Sequence, residues 1–173
     1  MTVVVLTGSR QAGKTTACQH LADLARAKGW SVAGVLSPAQ FEHGKKTGID
    51  IANLRTGDVR HLASRYRDPR PDELGYQFDE DALAWANAIV SASTPCDLLI
   101  VDELGPLEIE HNRGLTAAFD VLRSGEYRLA VVVVRPELIE GFLERLALPC
   151  EVKDMRDFAG VGLDYLLKDT SSP

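Results

Sequence analysis

Val3-Val4-Val5-Leu6-Thr7 runs directly into Gly8-Ser9-Arg10-Gln11-Ala12-Gly13-Lys14-Thr15, and Cys18, Leu21, Ala22 and Ala25 follow at helical spacing. The first five residues are apolar and mostly β-branched, the composition of a strand buried on both faces. The next eight fit G-x-x-x-x-G-K-[ST] at every fixed position, the spacing of a phosphate-binding loop. Gly8 and Gly13 let the backbone curl so that its N–H groups converge on an anion. Lys14 is placed to reach β- and γ-phosphates, and the Thr15 hydroxyl to ligate Mg²⁺. Gly29 after Lys28 closes the following helix, whose amino end adds partial positive charge to the loop. A strand before and a helix after are the context that this motif requires.

Working outward, Val32 to Ser37 forms a second apolar strand, so residues 3–37 make a βαβ unit with parallel strands. Residues 46–62 read as an inserted β-hairpin: Ile49 to Leu54 partly alternates, Arg55-Thr56-Gly57-Asp58 turns, and Val59 to Leu62 returns. Ser64 to Gly75 is a proline-broken loop carrying Arg65, Arg67 and Arg70. Asp79 caps a helix to about Ala92 with Leu83, Ala86 and Val90 on one face. Leu98 to Val101 is a short strand ending at Asp102-Glu103. A helix is expected over 113–123, a strong strand over Leu129–Val134, a helix over Glu137–Leu146, a short strand at Cys150–Val152 and a C-terminal helix near 156–167. The tail from Asp169 is expected to fray. Strands alternating with helices indicate an α/β, three-layer sandwich around a mostly parallel sheet, as one domain over residues 1–173.

Composition narrows the function classes. The chain has 173 residues, 45% hydrophobic, with a net charge of −6. That is an ordinary globular balance, and it argues against general nucleic-acid or membrane-surface binding. No apolar run approaches membrane-spanning length and no signal peptide is evident, so a cytoplasmic location is expected. Cys18, Cys96 and Cys150 are widely separated and the four histidines are scattered, which disfavours structural zinc and leaves buried free thiols.

In open α/β sheets, ligands bind outside the carboxyl ends of the strands. Thr7-Gly8, Asp102-Glu103 and Val134-Arg135 all sit at such ends. Leu98-Leu99-Ile100-Val101-Asp102-Glu103 has the form of a Walker B element. Asp102 is placed to hold Mg²⁺, and Glu103 to orient or deprotonate an attacking water. The expected nucleotide-binding set is Gly8, Ser9, Arg10, Gln11, Ala12, Gly13, Lys14, Thr15 and Thr16. The expected metal ligands are Thr15 and Asp102, and the catalytic pair is Glu103 with Lys14. Glu108 reads as support for the metal shell or a contact to the nucleotide, and equally as a solvated surface residue. Arg135, Arg113 and Arg65 are candidates for stabilising the transferring phosphoryl group, with an arginine from a partner left open. Arg10 is expected at the surface. Asn-Lys-x-Asp and Thr-Lys-x-Asp are absent, so guanine-specific readout is not expected, and ATP, GTP and other triphosphates are candidate substrates. Tyr66, Tyr76 and Trp85 read as core more readily than as base-stacking faces.

These elements together resemble the small P-loop nucleoside-triphosphatase family whose animal members are called cancer-related nucleoside-triphosphatases. The resemblance covers most of the chain. It is carried by Gly8–Thr15, Gly29 to Val35, Lys46 to Asp50 and, above all, Val101-Asp102-Glu103-Leu104-Gly105-Pro106-Leu107-Glu108, which looks like the family's Asp-Glu-Ile-Gly-Lys-Met-Glu string. Pro106-Leu107 replaces the usual Lys-Met, Lys46-Thr47 stands where an arginine-rich turn is common, and Ile49 where an aromatic is common. The resemblance implies a RecA-like core, with the strand after Walker B lying between the P-loop and Walker B strands. It also implies slow, Mg²⁺-dependent hydrolysis of several triphosphates to diphosphate and phosphate. Two other readings fit the same site. In one, the protein is a small-molecule kinase with Arg65, Arg67 and Arg70 on a lid. In the other, it is a nucleotide-dependent switch or assembly factor with the 46–62 hairpin as its partner surface.

Overall fold

The computed structural model describes residues 1–66, 75–158 and 162–167. Strand β1 (Thr2–Thr7) leads through the loop to helix α1 (Lys14–Ala27) and β2 (Val32–Leu36). An antiparallel stretch follows, β3 (Ala39–Glu42), β4 (Lys45–Asn53), β5 (Val59–Arg65) and β6 (Tyr76–Phe78). Then come α2 (Glu80–Ser91), β7 (Cys96–Leu104), α3 (Pro106–Ile109), α4 (Ala117–Ser124), β8 (Tyr127–Val134), α5 (Ile139–Leu146) and β9 (Glu151–Asp154).

The nine strands among the described residues join one sheet in the order β6-β5-β4-β2-β7-β8-β1-β9, with β3 on β4. β2, β7, β8, β1 and β9 run parallel. β8 lies between the P-loop strand β1 and the Walker B strand β7, the order that the resemblance implies. Two apolar layers flank this parallel part. Val4, Leu6, Leu98, Ile100, Val131 and Val133 pack against α1 through Cys18, Leu21, Ala22 and Ala25, the four residues read from its sequence. Val3, Val5, Leu99, Val101, Ala130 and Val132 pack on the other side against α2, α4 and α5. Successive strand residues alternate between the two layers, which is why these strands read as continuous apolar runs. Helix α2 starts where expected, with the Asp79 carboxylate accepting from the Ala82 amide at 2.9 Å. Gly34 sits where β2 meets β7: a Cβ there would lie 1.9 Å from the Ile100 carbonyl oxygen, so only glycine fits.

Helix α4 begins at Ala117 instead of residue 113, α3 is an additional turn, and two larger differences concern the insertion and the C-terminus. The insertion is a four-stranded meander over residues 39–78, larger than a hairpin at 46–62. Its first turn, His43-Gly44, has both residues at positive φ (48° and 75°), the conformation that joins two adjacent strands tightly. Phe41 to Lys46 is too polar to alternate, so the β3–β4 pair carries no periodic signal. The C-terminal helix near 156–167 is replaced by 3-10 turns at Met155–Phe158 and Leu163–Leu167, which pack Phe158, Leu163, Leu166 and Leu167 under α1. Short 3-10 turns bury apolar residues at helix-like spacing without an α-helix, and the pattern alone does not separate the two. Arg67 and Arg70 lie outside the described residues, as does the tail from Asp169.

Candidate functional site

The loop between β1 and α1 is built from residues whose backbone turns left-handed. Gly8, Gln11 and Gly13 have φ of 143°, 62° and 82°. Such alternation curls successive amides toward a common centre, an anion-binding nest. Gly13 is also the N-cap of α1, so the first amides of that helix point into the same space. Lys14 Nζ donates to the Gly8 and Ser9 carbonyls, each at 2.8 Å, which holds the ammonium across the mouth of the nest.

The acidic pair comes from the carboxyl end of β7. Its pairing with β8 slips there: Val101 registers with Val132, but Leu104 registers with Val134. One extra residue is therefore accommodated at Asp102-Glu103, a bulge that turns two adjacent carboxylates to different environments. Glu103 takes φ of 113°, a strained conformation for a residue with a Cβ. Asp102 is 1% exposed. Its Oδ2 accepts from the Ser37 amide at 3.1 Å, its backbone carbonyl accepts from the Ser37 hydroxyl, and its carboxylate is hydrogen-bonded by Thr15. Burial pushes the Asp102 carboxyl up to about 6. The Ser37 amide and Thr15 hydroxyl pull it down, Glu103 adds to the rise, and Lys14 opposes it. Glu103 Oε1 accepts from Arg135 Nε at 2.5 Å, both side chains about one-third exposed or less. The strand ends β7 and β8 thus deliver a carboxylate and its guanidinium partner side by side.

A cleft of about 630 Å³ connects these groups. It is lined by residues 10–16, by Asp102, Glu103 and Arg135, and by Ser37, Phe41, Lys46, Arg65 and Tyr76. Arg10 is exposed at its rim, as expected of a surface position, and still borders the cleft. Gly8 and Ser9 border Lys14 through their carbonyls. The set Gly8–Thr16, Asp102 and Glu103 therefore comes together from two strands separated by β8.

Other candidates fall elsewhere. Glu108 is buried and holds the backbone after β7: its Oε2 accepts from Gly105 at 2.8 Å and its Oε1 from Leu115 at 2.9 Å. Burial raises its carboxyl above the usual range against the pull of those amides. Neither the metal-shell nor the surface reading describes it, because both its oxygens are spent on the chain itself. Arg113 pairs with Glu80 at 2.7 Å on an exposed surface away from the cleft. Trp85 packs under the Arg60 guanidinium, 4.4 Å from the ring centre, and neither it nor Tyr66 lines the cleft. Sequence reasoning missed Ser37 and Phe41. Ser37 carried a usable signal, since it follows a strand adjacent to Walker B and polar residues at such ends face the site.

The oxygen donors suit Mg²⁺. Among the described residues no group of three or more His, Cys, Asp or Glu could cage a metal ion. One carboxylate beside one hydroxyl, next to a phosphate nest, is the sparse protein contribution that Mg²⁺ accepts when phosphates and waters complete its shell. Among the described residues, no helix is long and apolar enough to cross a membrane.

Comparison with known proteins agrees with this arrangement. The model of the NTPase family matches residues 3–154. The chain is 37% identical over 111 residues to the nucleoside-triphosphatase THEP1 of Methanopyrus kandleri, across 63% of this chain and 61% of that protein. It is 31% identical over 131 residues to THEP1 of Methanosarcina acetivorans, across 75% and 74%. The solution structure of a human cancer-related nucleoside triphosphatase superposes with a TM-score of 0.69 at 19% identity, covering all of both chains. The crystal structure of THEP1 from Aquifex aeolicus superposes at 0.64 with 15% identity, over 98% and 99%. From the P-loop strand through the last strand of the sheet, the chain belongs to the NTPase family of nucleoside-triphosphatases.

Proposed function

We propose that this protein hydrolyses nucleoside triphosphates to diphosphate and phosphate, with Mg²⁺ and with little discrimination among bases. The observation that carries the reading is the meeting, in one cleft, of the 8–16 nest, Lys14, Thr15 and Asp102 with a second carboxylate, Glu103. The nest and the α1 amino end bind the phosphate chain through backbone amides. Lys14 leaves its carbonyl partners to meet the β- and γ-phosphate oxygens. Thr15 and Asp102 would hold Mg²⁺, which would supply charge neutralisation to the phosphate chain.

Glu103 orients a water and accepts its proton as the water oxygen bonds to the γ-phosphorus. The bond from that phosphorus to the bridging oxygen breaks, and the diphosphate leaves with the electron pair. Arg135, bonded to Glu103 at 2.5 Å, acts as a positioning residue that fixes the carboxylate's direction. A hydroxyl acceptor would also use such a base, and it is the match to nucleoside-triphosphatases that favours hydrolysis over the kinase reading. The phosphates carry most of the expected contacts, which supports use of ATP, GTP and other triphosphates alike.

The test is phosphate release from a panel of ribo- and deoxyribonucleoside triphosphates, with Mg²⁺ or EDTA, beside Lys14→Ala. Expected are Mg²⁺-dependent release from ATP and GTP within about tenfold of one another and a fall of about 10³-fold in Lys14→Ala. Release that survives Lys14→Ala contradicts the reading.

A further inference from the structure

Four side chains of the meander share one face. Residues registered directly across two strands point to the same side of a sheet. Phe41 registers with Lys46, and Arg65 with Tyr76. All four line the cleft that holds Lys14, Asp102 and Glu103. Lys46 Nζ lies 5.3 Å from the centre of the Tyr76 ring, so the two pairs meet across the sheet. The other side carries His61, Ser64 and Gln77 over a separate shallow depression.

The position of this wall decides what it faces. β4 is paired with β2, and β2 with the Walker B strand β7. Ser37, at the end of β2, holds Asp102 at 3.1 Å. The meander therefore continues the sheet on the Asp102 side of the cleft, at the opposite edge from β9. Its cations, Lys46 and Arg65, line the same cleft as Lys14.

The demand for such cations is chemical. Charge spreads over the oxygens of a transferring phosphoryl group, and one lysine with one Mg²⁺ neutralises it only in part. Arg113 is remote and paired with Glu80, and Arg135 is engaged by Glu103. Arg65 is exposed at the carboxyl end of β5, on the cleft wall. A guanidinium presents a planar fork of donors that matches phosphate oxygens.

We propose that Arg65, with Lys46 beside it, is the cation this chain supplies from its own meander to the γ-phosphate during transfer. The inference rests on the triphosphatase reading above. It makes the meander a catalytic element, not a docking surface for a partner.

The test is capture of Mg²⁺·ADP with aluminium fluoride, which mimics the transferring group, followed with a fluorescent ADP and run beside steady-state turnover. Wild type, Arg65→Ala, Arg65→Lys, Lys46→Ala and His61→Ala are compared, with thermal melts to show that each is folded. Expected is ADP affinity within about twofold throughout, and a captured complex in wild type and His61→Ala. Arg65→Ala should lose capture and turn over about 10³-fold more slowly at a KM within a few-fold of wild type. Arg65→Lys should recover part of the rate, guanidinium ion should partly rescue Arg65→Ala, and Lys46→Ala should lose about tenfold. Capture and turnover by Arg65→Ala within threefold of wild type overturn this inference alone. A wild type that neither turns over nor captures overturns the triphosphatase reading and this inference with it.

Discussion

The parallel and antiparallel parts of this sheet obey different rules. In the parallel part, β9, at the edge, leaves Val152 43% exposed, but β2, β7, β8 and β1 are covered on both sides, and Val5, Leu6, Val101 and Val132 are almost wholly buried. Its backbone is invariant in purpose: it brings strand ends, and therefore Lys14, Thr15, Asp102, Glu103 and Arg135, to one edge. Among the described residues of the meander, only Ile51, Leu54, Leu62 and Ala63 are buried apolar residues, and Phe41 and Val59 stand more than half exposed. Its content lies in which face each side chain takes. On the proposed reading, the core sets where a phosphate chain is held, and the meander sets what meets its far end.

The largest expected effect that separates the two comes from Asp102→Asn. A carboxylate buried in the parallel core is held for chemistry against its own preference for water. Hydrolysis should fall at least 10²-fold through lost metal binding, while the folded state gains. The folded carboxyl titrates near 6 and the free one near 3.8, so the folded state keeps its proton longer. Stability of the wild type therefore falls as pH rises from about 4 to about 6, by roughly 3 kcal/mol in all, and stays level above. Urea melts at pH 7 should show Asp102→Asn more stable by up to that amount, with the two proteins converging near pH 4. A less stable variant at pH 7 contradicts the assignment of a buried charge whose desolvation outweighs its hydrogen bonds.

A smaller effect, on stability with the chemistry spared, is expected from Glu108→Ala. Removing the carboxylate leaves the Gly105 and Leu115 amides without acceptors in a buried loop, which costs about 2–4 kcal/mol. Chemical denaturation should read that loss, with nucleotide affinity within about threefold of wild type. Loss of nucleotide binding in a folded Glu108→Ala would return this residue to the site.

The same contrast explains what was legible in the sequence. Val3–Thr7, Leu98–Val101 and Leu129–Val134 are buried on both faces, so local composition suffices to identify them. Cys18, Leu21, Ala22 and Ala25 show one helical face for the same reason. The P-loop is legible because it needs particular residues at fixed spacing. The meander is half solvated, its strands are tied by register more than by burial, and β6 is only three residues long, so Phe41–Lys46 reads as loop. The Glu103–Arg135 pair joins residues 32 apart in sequence. It depends on a bulge that no local pattern announces, so only the fate of each strand end was foreseeable. Glu108 misled for a related reason: an acidic residue after Walker B reads as metal support until the fold shows two buried amides needing its oxygens.

The central claim is that Glu103 acts on water within a site that binds the triphosphate without it. The direct measurement is Glu103→Gln, with Mg²⁺·ATPγS affinity and single-turnover ATP hydrolysis taken on the same preparation. Affinity within about threefold of wild type, with hydrolysis slowed by 10²–10⁴-fold, is the expected result. Hydrolysis by Glu103→Gln at near the wild-type rate contradicts the account.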